Sequence, residues 1–364
     1  MKKIWHSCLL MGLVCGANPR GLIAQEAAAG VDLRATITGQ TIASNELTEK
    51  PRSGSPMIAG FRSVFYPTIK MNDHWFITGA YQFSTRPYLY EELSTTGYGA
   101  KGNILQASLN YSRVSQKGSL LMRAGELSTA FGSFMLHYDD AENALVDLPT
   151  GYGYYYAPIS TLAVAGAQID ATRGKWDGRA QFANSSPANP RSVFAKDQYG
   201  NWAGGFGYTL RQGFRVGASG YRGPYLDRKY AYFFPGEAKP SSLKAHALGI
   251  DVGWSHGHSS AQGELQRFVM PYKLIPTFRE KAGYGEFKQV LSPRWYVAGR
   301  AGFTSTSATG KEQTYEMSTA FRPDRQQSIK VGYQVLHYSA SPGSNDQTLA
   351  IQFITTFHVS AAHD

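Results

Sequence analysis

Apolar and polar residues alternate with a period of two along much of this chain. In the stretch 295–304, for example, Trp295 and Val297 fall on one side of the pattern, and Arg300 and Thr304 fall on the other. Such alternation predicts β-strands whose two faces meet different surroundings. It is clearest over seven segments: 75–84, 105–112, 202–211, 295–304, 313–322, 328–335 and 349–357.

The properties of these segments favour strands that cross a membrane over the strands of a soluble sandwich. They extend to roughly ten residues, which a tilted strand needs to cross a bilayer, whereas sandwich strands are usually about five or six residues long. Their polar positions carry mainly Ser, Thr, Gln and Gly, as expected of a water-filled interior. Aromatic residues such as Trp75, Tyr111 and Trp202 stand near segment ends, where a barrel has its interfacial girdles.

The breaks between segments allow the strands to be counted. Seven short polar breaks occur near 72–73, 116–118, 173–174, 211–213, 256–258, 292–293 and 323–324. Eight longer breaks lie near 44–56, 88–102, 127–157, 185–200, 222–242, 270–280, 304–312 and 339–347. Fifteen connections join sixteen strands, and this predicts an all-β, closed antiparallel transmembrane barrel with short periplasmic turns and long external loops.

The first strand is predicted to span 31–43, and the last to end near Val359. Three segments, 58–70, 260–269 and 281–290, alternate poorly, so fourteen strands is the alternative count. No linker divides residues 30–364, which we expect to form one barrel domain.

The N-terminus has the layout of a secretory signal peptide. Lys2 and Lys3 precede an apolar run, and small residues follow, which predicts a signal over 1–24 with cleavage somewhere in 24–29. Both cysteines of the chain, Cys8 and Cys15, lie inside this segment. A lipoprotein anchor at Cys15 is a rival interpretation, although a valine stands where a small residue is wanted.

Composition agrees with an exported barrel. Only 17% of residues are charged and 13% are aromatic, yet mean hydropathy is −0.32, so the chain is neither a bundle of apolar helices nor a charged disordered protein. The net charge of +10 becomes about +7 once the cations of the signal peptide are removed. The remaining cations are spread singly along strands, which disfavours a nucleic-acid surface.

The alternation also assigns side chains to the lumen. The inward basic residues are predicted to be Arg34, Arg62, Arg86, Arg123, Arg179, Arg211, Arg215, Lys288, Arg300, Arg322 and Lys330. The inward acidic residues are predicted to be Asp177, Asp251, Glu264, Glu286 and Glu316. A net basic wall raises the local concentration of anions, so we expect a mild anion preference. In the alternative, several of these arginines lie at the rims or pair with loop acids.

The longest loop, 127–157, follows the fifth strand and joins an aromatic start to an acidic middle. The residues that carry this pattern are Phe131, Gly132, Asp139, Asp140, Glu142 and Asp147. The loop resembles the constricting third loop of sixteen-stranded trimeric outer-membrane porins. The stretch 122–127, with Phe131 and Gly132, is similar to the strand and loop entry of the phosphate-selective-porin-like group.

This resemblance implies a homotrimeric channel in the outer membrane of a Gram-negative bacterium, with the third loop folded into the lumen. Passive diffusion of small hydrophilic solutes and ions is the expected function, with outer-membrane lipid as the surroundings. A substrate-specific uptake channel for phosphate or organic anions is the first alternative.

A barrel enzyme built around His137 is a more distant alternative, because no serine stands in a nucleophile motif. His256 and His258 are separated by one glycine in a predicted turn, without nearby Cys or carboxylate. The sequence therefore predicts no catalytic residue, no metal site and no cofactor.

Overall fold

In a computed structural model of the protein, the described residues form sixteen β-strands. The described ranges are 29–49, 56–90, 93, 99–134, 138–152, 163–184, 200–226, 236, 239–307, 310–339 and 345–362. The strands are β1 Gly30–Ser44, β2 Met57–Lys70, β3 Trp75–Arg86, β4 Gly99–Ser115, β5 Gly118–Ser128, β6 Ala163–Arg173, β7 Trp176–Ala183, β8 Asn201–Arg211, β9 Phe214–Pro224, β10 Lys244–His256, β11 Ser259–Met270, β12 Phe278–Ser292, β13 Trp295–Thr306, β14 Gly310–Phe321, β15 Gln327–Tyr338 and β16 Asn345–Ala362.

The strands form one closed antiparallel barrel. Each strand pairs with its neighbours in the sequence, and β1 pairs with β16 along its whole length, from Gly30↔Ala362 to Ser44↔Thr348. Closure leaves no unpaired sheet edge, which is required of a sheet in lipid because nothing there can satisfy free backbone groups.

The prediction of sixteen strands is confirmed, and the alternative of fourteen is wrong. The three segments that alternate poorly are β2, β11 and β12, and each pairs with both neighbours. The β2–β3 ladder is interrupted at Tyr66 and Pro67, and the β12–β13 register shifts between Val290 and Ser292.

The inward positions of these three strands include apolar residues such as Val64, Phe268 and Ala282, which pack inside the barrel. Because these inward positions are not polar, the alternation of apolar and polar residues is hard to see in the sequence.

Several strands extend further than the alternation predicts. β16 continues past Val359 to Ala362, because its last residues still pair with the start of β1. The connection between β5 and β6 covers 129–162 rather than 127–157, since Leu127 and Ser128 pair with Val164 and Ala163. The period-two pattern weakens near the rims, where both faces meet water.

The two faces of the barrel differ as the pattern predicts. Outward positions carry large exposed apolar residues, among them Leu248, Ile250 and Leu265. Inward positions carry buried or half-buried polar residues such as Gln168 and Glu264. The core therefore lies inside the barrel, and the outer surface is suited to contact with acyl chains.

Short helical turns occur only outside the strands in the described part of the chain. They are α1 Asn45–Glu49 and the 3₁₀ turns Thr150–Tyr152 and Pro240–Ser242. Within the same residues, no helix is long and apolar enough to cross a membrane. The predicted signal peptide, with Cys8 and Cys15, lies outside the described residues.

Candidate pore constriction

The connection 129–162, which we call the constriction loop, is folded into the barrel. Its described parts, 129–134 and 138–152, contact inward residues on strands from β1 to β16. The contacts fall into three anchors on different parts of the wall.

The first anchor is apolar and lies against β9, β10 and β11. Phe131 is fully buried in a cluster with Tyr221, Ala247 and Phe268, and its ring meets that of Phe268 edge-on at 5.6 Å. Gly132 follows with a φ of +76°, and a Cβ there would lie 2.3 Å from the Tyr152 hydroxyl. Only glycine fits both constraints, so the aromatic–glycine pair makes the sharp turn into the lumen.

Hydrogen bonds to the loop backbone complete this anchor. The Glu264 carboxylate accepts bonds from the amides of Ser133 at 2.9 Å and Phe134 at 2.8 Å, and also from the Tyr152 hydroxyl. Arg179 donates to the carbonyl oxygens of Ala130, at 2.7 Å, and Gly132. Glu264 and Arg179, two inward charged residues of the barrel wall, thus bind the backbone of the constriction loop.

The second anchor is an ion pair with β2. The Arg62 guanidinium lies 3.0 Å from the Asp140 carboxylate, and both side chains are almost fully buried. The same carboxylate accepts hydrogen bonds from Thr38 at 2.9 Å, Tyr88 at 2.8 Å and Tyr138 at 3.0 Å. Every oxygen of this buried anion is therefore satisfied.

The third anchor joins the loop to β12, β13, β14 and β15. The Lys330 ammonium group, 1% exposed, donates to three loop carbonyls: Asp140 at 2.5 Å, Asn143 at 2.5 Å and Leu145 at 3.3 Å.

Arg300 is fully buried and, like Lys330, contacts Asn143 of the loop. Its guanidinium lies 2.9 Å from Glu286 and 3.1 Å from Glu316, and it donates to the Asp147 carbonyl at 2.9 Å. The Asp147 carboxylate accepts bonds from the amides of Tyr90 and Leu148. The neighbouring connection, which carries Tyr90, is thereby tied to the constriction loop.

Two loop acids have shifted pKa values in opposite directions. Burial alone would raise the pKa of Asp140, but the charges of Arg62 and Lys330 and the hydroxyl donors lower it below its ordinary value. For Glu142, the loss of hydration inside the barrel and the charge of Asp139 raise the pKa, although Arg34 opposes the shift. Asp139 itself accepts bonds from the Tyr66 hydroxyl and the Ala141 amide.

On β5 to β10, inward ion pairs are more exposed to solvent than the buried pairs that anchor the loop. Arg123 lies 2.6 Å from Asp170. Arg215 bridges Asp177 at 2.7 Å and Asp251 at 2.5 Å. The paired residues Arg123 and Asp170 keep 23% and 22% of their side-chain surface exposed, and since they face inward this surface meets water inside the barrel.

The remaining predicted basic residues occupy varied positions. Arg34 lies 6.0 Å from the Tyr66 ring, and Arg322, just beyond the end of β14, lies 5.3 Å from the Tyr296 ring. Lys288 lies 4.4 Å from the same Tyr296 ring. Arg211 is exposed at the end of β8, and Arg86 ends β3 with its side chain outside the described part.

Several residues of the constriction are absent from the sequence predictions. Tyr66 shares the inward phase of Arg62, and Asp170 shares that of Gln168, so the period-two pattern contained both. Tyr88 and Tyr138 lie in connections without periodicity, and no sequence signal marks them as partners of Asp140.

Within the described residues, no group of three or more His, Cys, Asp or Glu side chains is arranged to hold a metal ion. His256 ends β10 and His258 precedes β11, with the turn residue Gly257 between them. His137 lies outside the described residues.

Comparison with known proteins shows the fold. No family model matches the amino-acid sequence, and no curated protein matches it either. Solved structures match over nearly the whole chain. A Salmonella typhi OmpF complex with daunomycin has a TM-score of 0.60 at 11% identity, covering 92% of this chain and 100% of that one.

Two further structures are similar to the same extent. An anion-selective porin from Comamonas acidovorans has a TM-score of 0.56 at 9% identity, covering 90% of this chain and 100% of that one. The trimer form of OmpT from Vibrio cholerae has a TM-score of 0.57 at 10% identity, covering 91% and 100%. The chain therefore has the sixteen-stranded fold of outer-membrane porins.

Proposed function

We propose that this chain is an outer-membrane porin through which small hydrophilic solutes and ions diffuse passively. The observation that carries the proposal is a closed barrel of sixteen strands whose third long loop is anchored inside the lumen. A barrel of this size encloses an aqueous channel unless it is plugged. A single loop narrows that channel, and the partly exposed inward ion pairs of β5 to β10 support a wet remaining path.

A mild anion preference is part of the proposal. The acids Asp139, Asp140 and Asp147 of the loop are held by hydroxyls, backbone amides and Arg62, which removes much of their effect on a passing ion. Lys288 and Arg322, by contrast, lie on the Tyr296 ring rather than against a carboxylate. The similarity to an anion-selective porin from Comamonas acidovorans agrees with this preference.

Single-channel recording in a planar bilayer tests the proposal. We expect stepwise, long-lived conductance that rises in proportion to salt concentration, and a reversal potential of anion-selective sign in a salt gradient. Folded, inserted protein that conducts no current would contradict the porin function, whereas cation selectivity would contradict only the anion preference.

Lys288 and Arg322 also support a second candidate, an uptake channel for phosphate or organic anions. Two cations beside one aromatic ring could bind an anion long enough to saturate the current. Current that is blocked by millimolar phosphate, and is no longer blocked after Arg322→Gln, would favour this alternative. A current that stays linear with solute concentration supports passive diffusion.

We propose a homotrimer in the outer membrane of a Gram-negative bacterium. The exposed apolar belt would lie in lipid, with part of it covered by neighbouring copies. The trimer form of OmpT from Vibrio cholerae, which has this fold, supports this assembly. Chemical cross-linking of protein in native membranes would show a three-subunit product, and a purely monomeric pattern would contradict it.

A further inference from the structure

One buried carboxyl group inside the barrel lacks a hydrogen-bond partner. Glu280, near the start of β12, is 0% exposed, and neither of its carboxyl oxygens is hydrogen-bonded among the described residues. It points inward, because the residues on either side of it, Arg279 and Lys281, are exposed on the outer face. An ionised carboxyl group that leaves water without a partner is strongly destabilising. Glu280 must therefore be neutralised by a cation or by a proton.

The strand register places a second acid near this one. Glu280 is directly opposite Thr306 on β13. Glu312 on β14 is directly opposite Thr304, which precedes Thr306 by one inward position on the same strand. Strand spacing and rise then put the Cα atoms of the two glutamates about 12 Å apart. Two glutamate side chains that lean over β13 from opposite sides can span this distance with one cation between their carboxylates.

No positive charge of the described residues compensates Glu280. The charged group that acts on it is Glu312, which is itself an acid. On the β11 side, the directly opposed residue is Phe268, which is also 0% exposed. A counterion for Glu280 therefore has to lie on the β13 side, between the two carboxyl groups.

The β13 side offers oxygen atoms and a path from solvent. The Thr304 hydroxyl donates a hydrogen bond to the Glu312 carboxylate at 3.1 Å, which fixes the direction of that side chain. Glu312 is partly exposed, whereas Glu280 is fully buried. An ion can thus enter from the water beside Glu312 and reach Glu280.

These donors suit calcium. Ca²⁺ binds oxygen ligands in irregular shells of about six to eight atoms, whereas Mg²⁺ demands a near-ideal octahedron. Two carboxylates supply up to four oxygens and balance the double charge of the ion, and water can fill the remaining positions. Within the described residues no third acid or histidine completes the site. We therefore expect weak binding, with a Kd of about 0.1–1 mM.

We propose that Glu280 and Glu312 bind a calcium ion on the inward face of β13, at the end of the barrel that carries the long loops. The ion connects β12 to β14 and neutralises both acids. Neither glutamate takes part in the three anchors of the constriction loop. The inference goes beyond the proposed channel function, because binding to the folded barrel is measured without any current.

Equilibrium dialysis with radioactive calcium tests the proposal on the folded, full-length protein in a zwitterionic detergent without phospholipid. We expect saturable binding of a single ion per barrel. Glu312→Gln should weaken the binding about tenfold or more, and Glu280→Gln should abolish it. The matched control is Glu126→Gln, which changes a partly exposed carboxylate near the long-loop end of β5 and should bind calcium like the unmodified protein.

Urea unfolding of the same proteins distinguishes a bound ion from a proton. An ion that binds only the folded state stabilises it, so calcium should raise the unfolding midpoint of the unmodified protein relative to EDTA. The same rise is expected for Glu126→Gln, and none for Glu280→Gln. If Glu280 is neutralised by a proton instead, calcium will change none of these midpoints.

Two results would overturn the proposal: no saturable calcium binding by the unmodified protein, or equal binding by the unmodified protein and both site variants. If Glu280→Gln does not fold, Glu312→Gln decides, because it changes a partly exposed side chain. Saturable binding by a barrel that conducts no current would contradict the porin function and leave the calcium site in place.

Discussion

At the scale of single residues, the charges inside the barrel act mainly on the protein itself. Arg62, Arg300 and Lys330 face the lumen, but each is buried and holds part of the constriction loop. A buried cation with several partners is strongly localised, and removing one partner leaves an uncompensated charge. The position of the loop therefore depends on a few such pairs.

Replacement of Asp140 tests the second anchor. We expect Asp140→Asn to leave Arg62 buried without its counterion and to weaken the anchoring of the loop by about 3–5 kcal/mol. Larger and noisier single-channel currents should result. Glu142→Gln changes a carboxylate of the same loop that takes part in none of the three anchors, so this control should keep a quiet channel. Unchanged current noise in Asp140→Asn would show that the ion pair does not hold the loop.

The same two acids predict a pH dependence. Because the pKa of Asp140 is lowered, its anchoring contribution is present above the ordinary carboxyl pKa and is lost only as the pH falls below that value. Glu142 has a raised pKa, so it loses its negative charge first as the pH falls from neutrality. We expect the reversal potential to shift toward anion selectivity as the pH falls from neutrality toward the ordinary glutamate pKa. In Glu142→Gln this shift should be reduced, and an identical shift in both proteins would contradict the assignment.

At the scale of elements, glycines on β8 and β9 allow the Arg215 side chain to lie flat on the wall. A Cβ on Gly207 would lie 2.1 Å from the Arg215 guanidinium. This space lets one cation bridge Asp177 on β7 and Asp251 on β10. The inward glycines are thus part of the charge pattern of the lumen.

Gly207→Ala should therefore change conduction. The added methyl group displaces the guanidinium from the wall and breaks its bridge, so we expect a narrower path and a lower single-channel conductance. Gly253→Ala is the matched control, because Gly253 also faces inward and a Cβ there meets nothing within 4 Å. Equal conductance of the two variants would contradict this account of the glycine.

At the scale of the whole molecule, the barrel separates two solvents. One face of every strand meets acyl chains and the other meets water and the constriction loop. Closure between β1 and β16, at opposite ends of the chain, makes this separation complete. Stability should therefore depend on which face receives a charge.

An arginine on each face measures this difference. Ile250 on β10 points outward and is 58% exposed, and Ile250→Arg should destabilise the barrel in lipid bilayers by up to about 2–4 kcal/mol. Gln262→Arg introduces the same charge on the inward face of the neighbouring strand β11, opposite Glu286, and a much smaller effect is expected. Urea unfolding in phospholipid vesicles gives both values, and equal destabilisation would contradict the assignment of the faces.

The sequence by itself predicted sixteen strands, with fourteen left open by three poorly alternating segments, and it assigned most strand residues to a face. These properties are local, because a stretch of about ten residues is enough to show both the alternation of a strand and the polar break that ends it. The constriction loop was also visible, as an aromatic–glycine entry followed by acids at Asp139, Asp140 and Asp147. Inward basic residues could be assigned by phase alone.

Only the tertiary structure decided what those charges do. Arg62 and Asp140 are 78 positions apart, and Lys330 and Asp140 are 190 apart, so no local pattern records that they meet. Alternation specifies the face of a residue but not the height of one strand against another or the path of a loop through the lumen. Register and closure determine these, and they decide which inward cations anchor the loop.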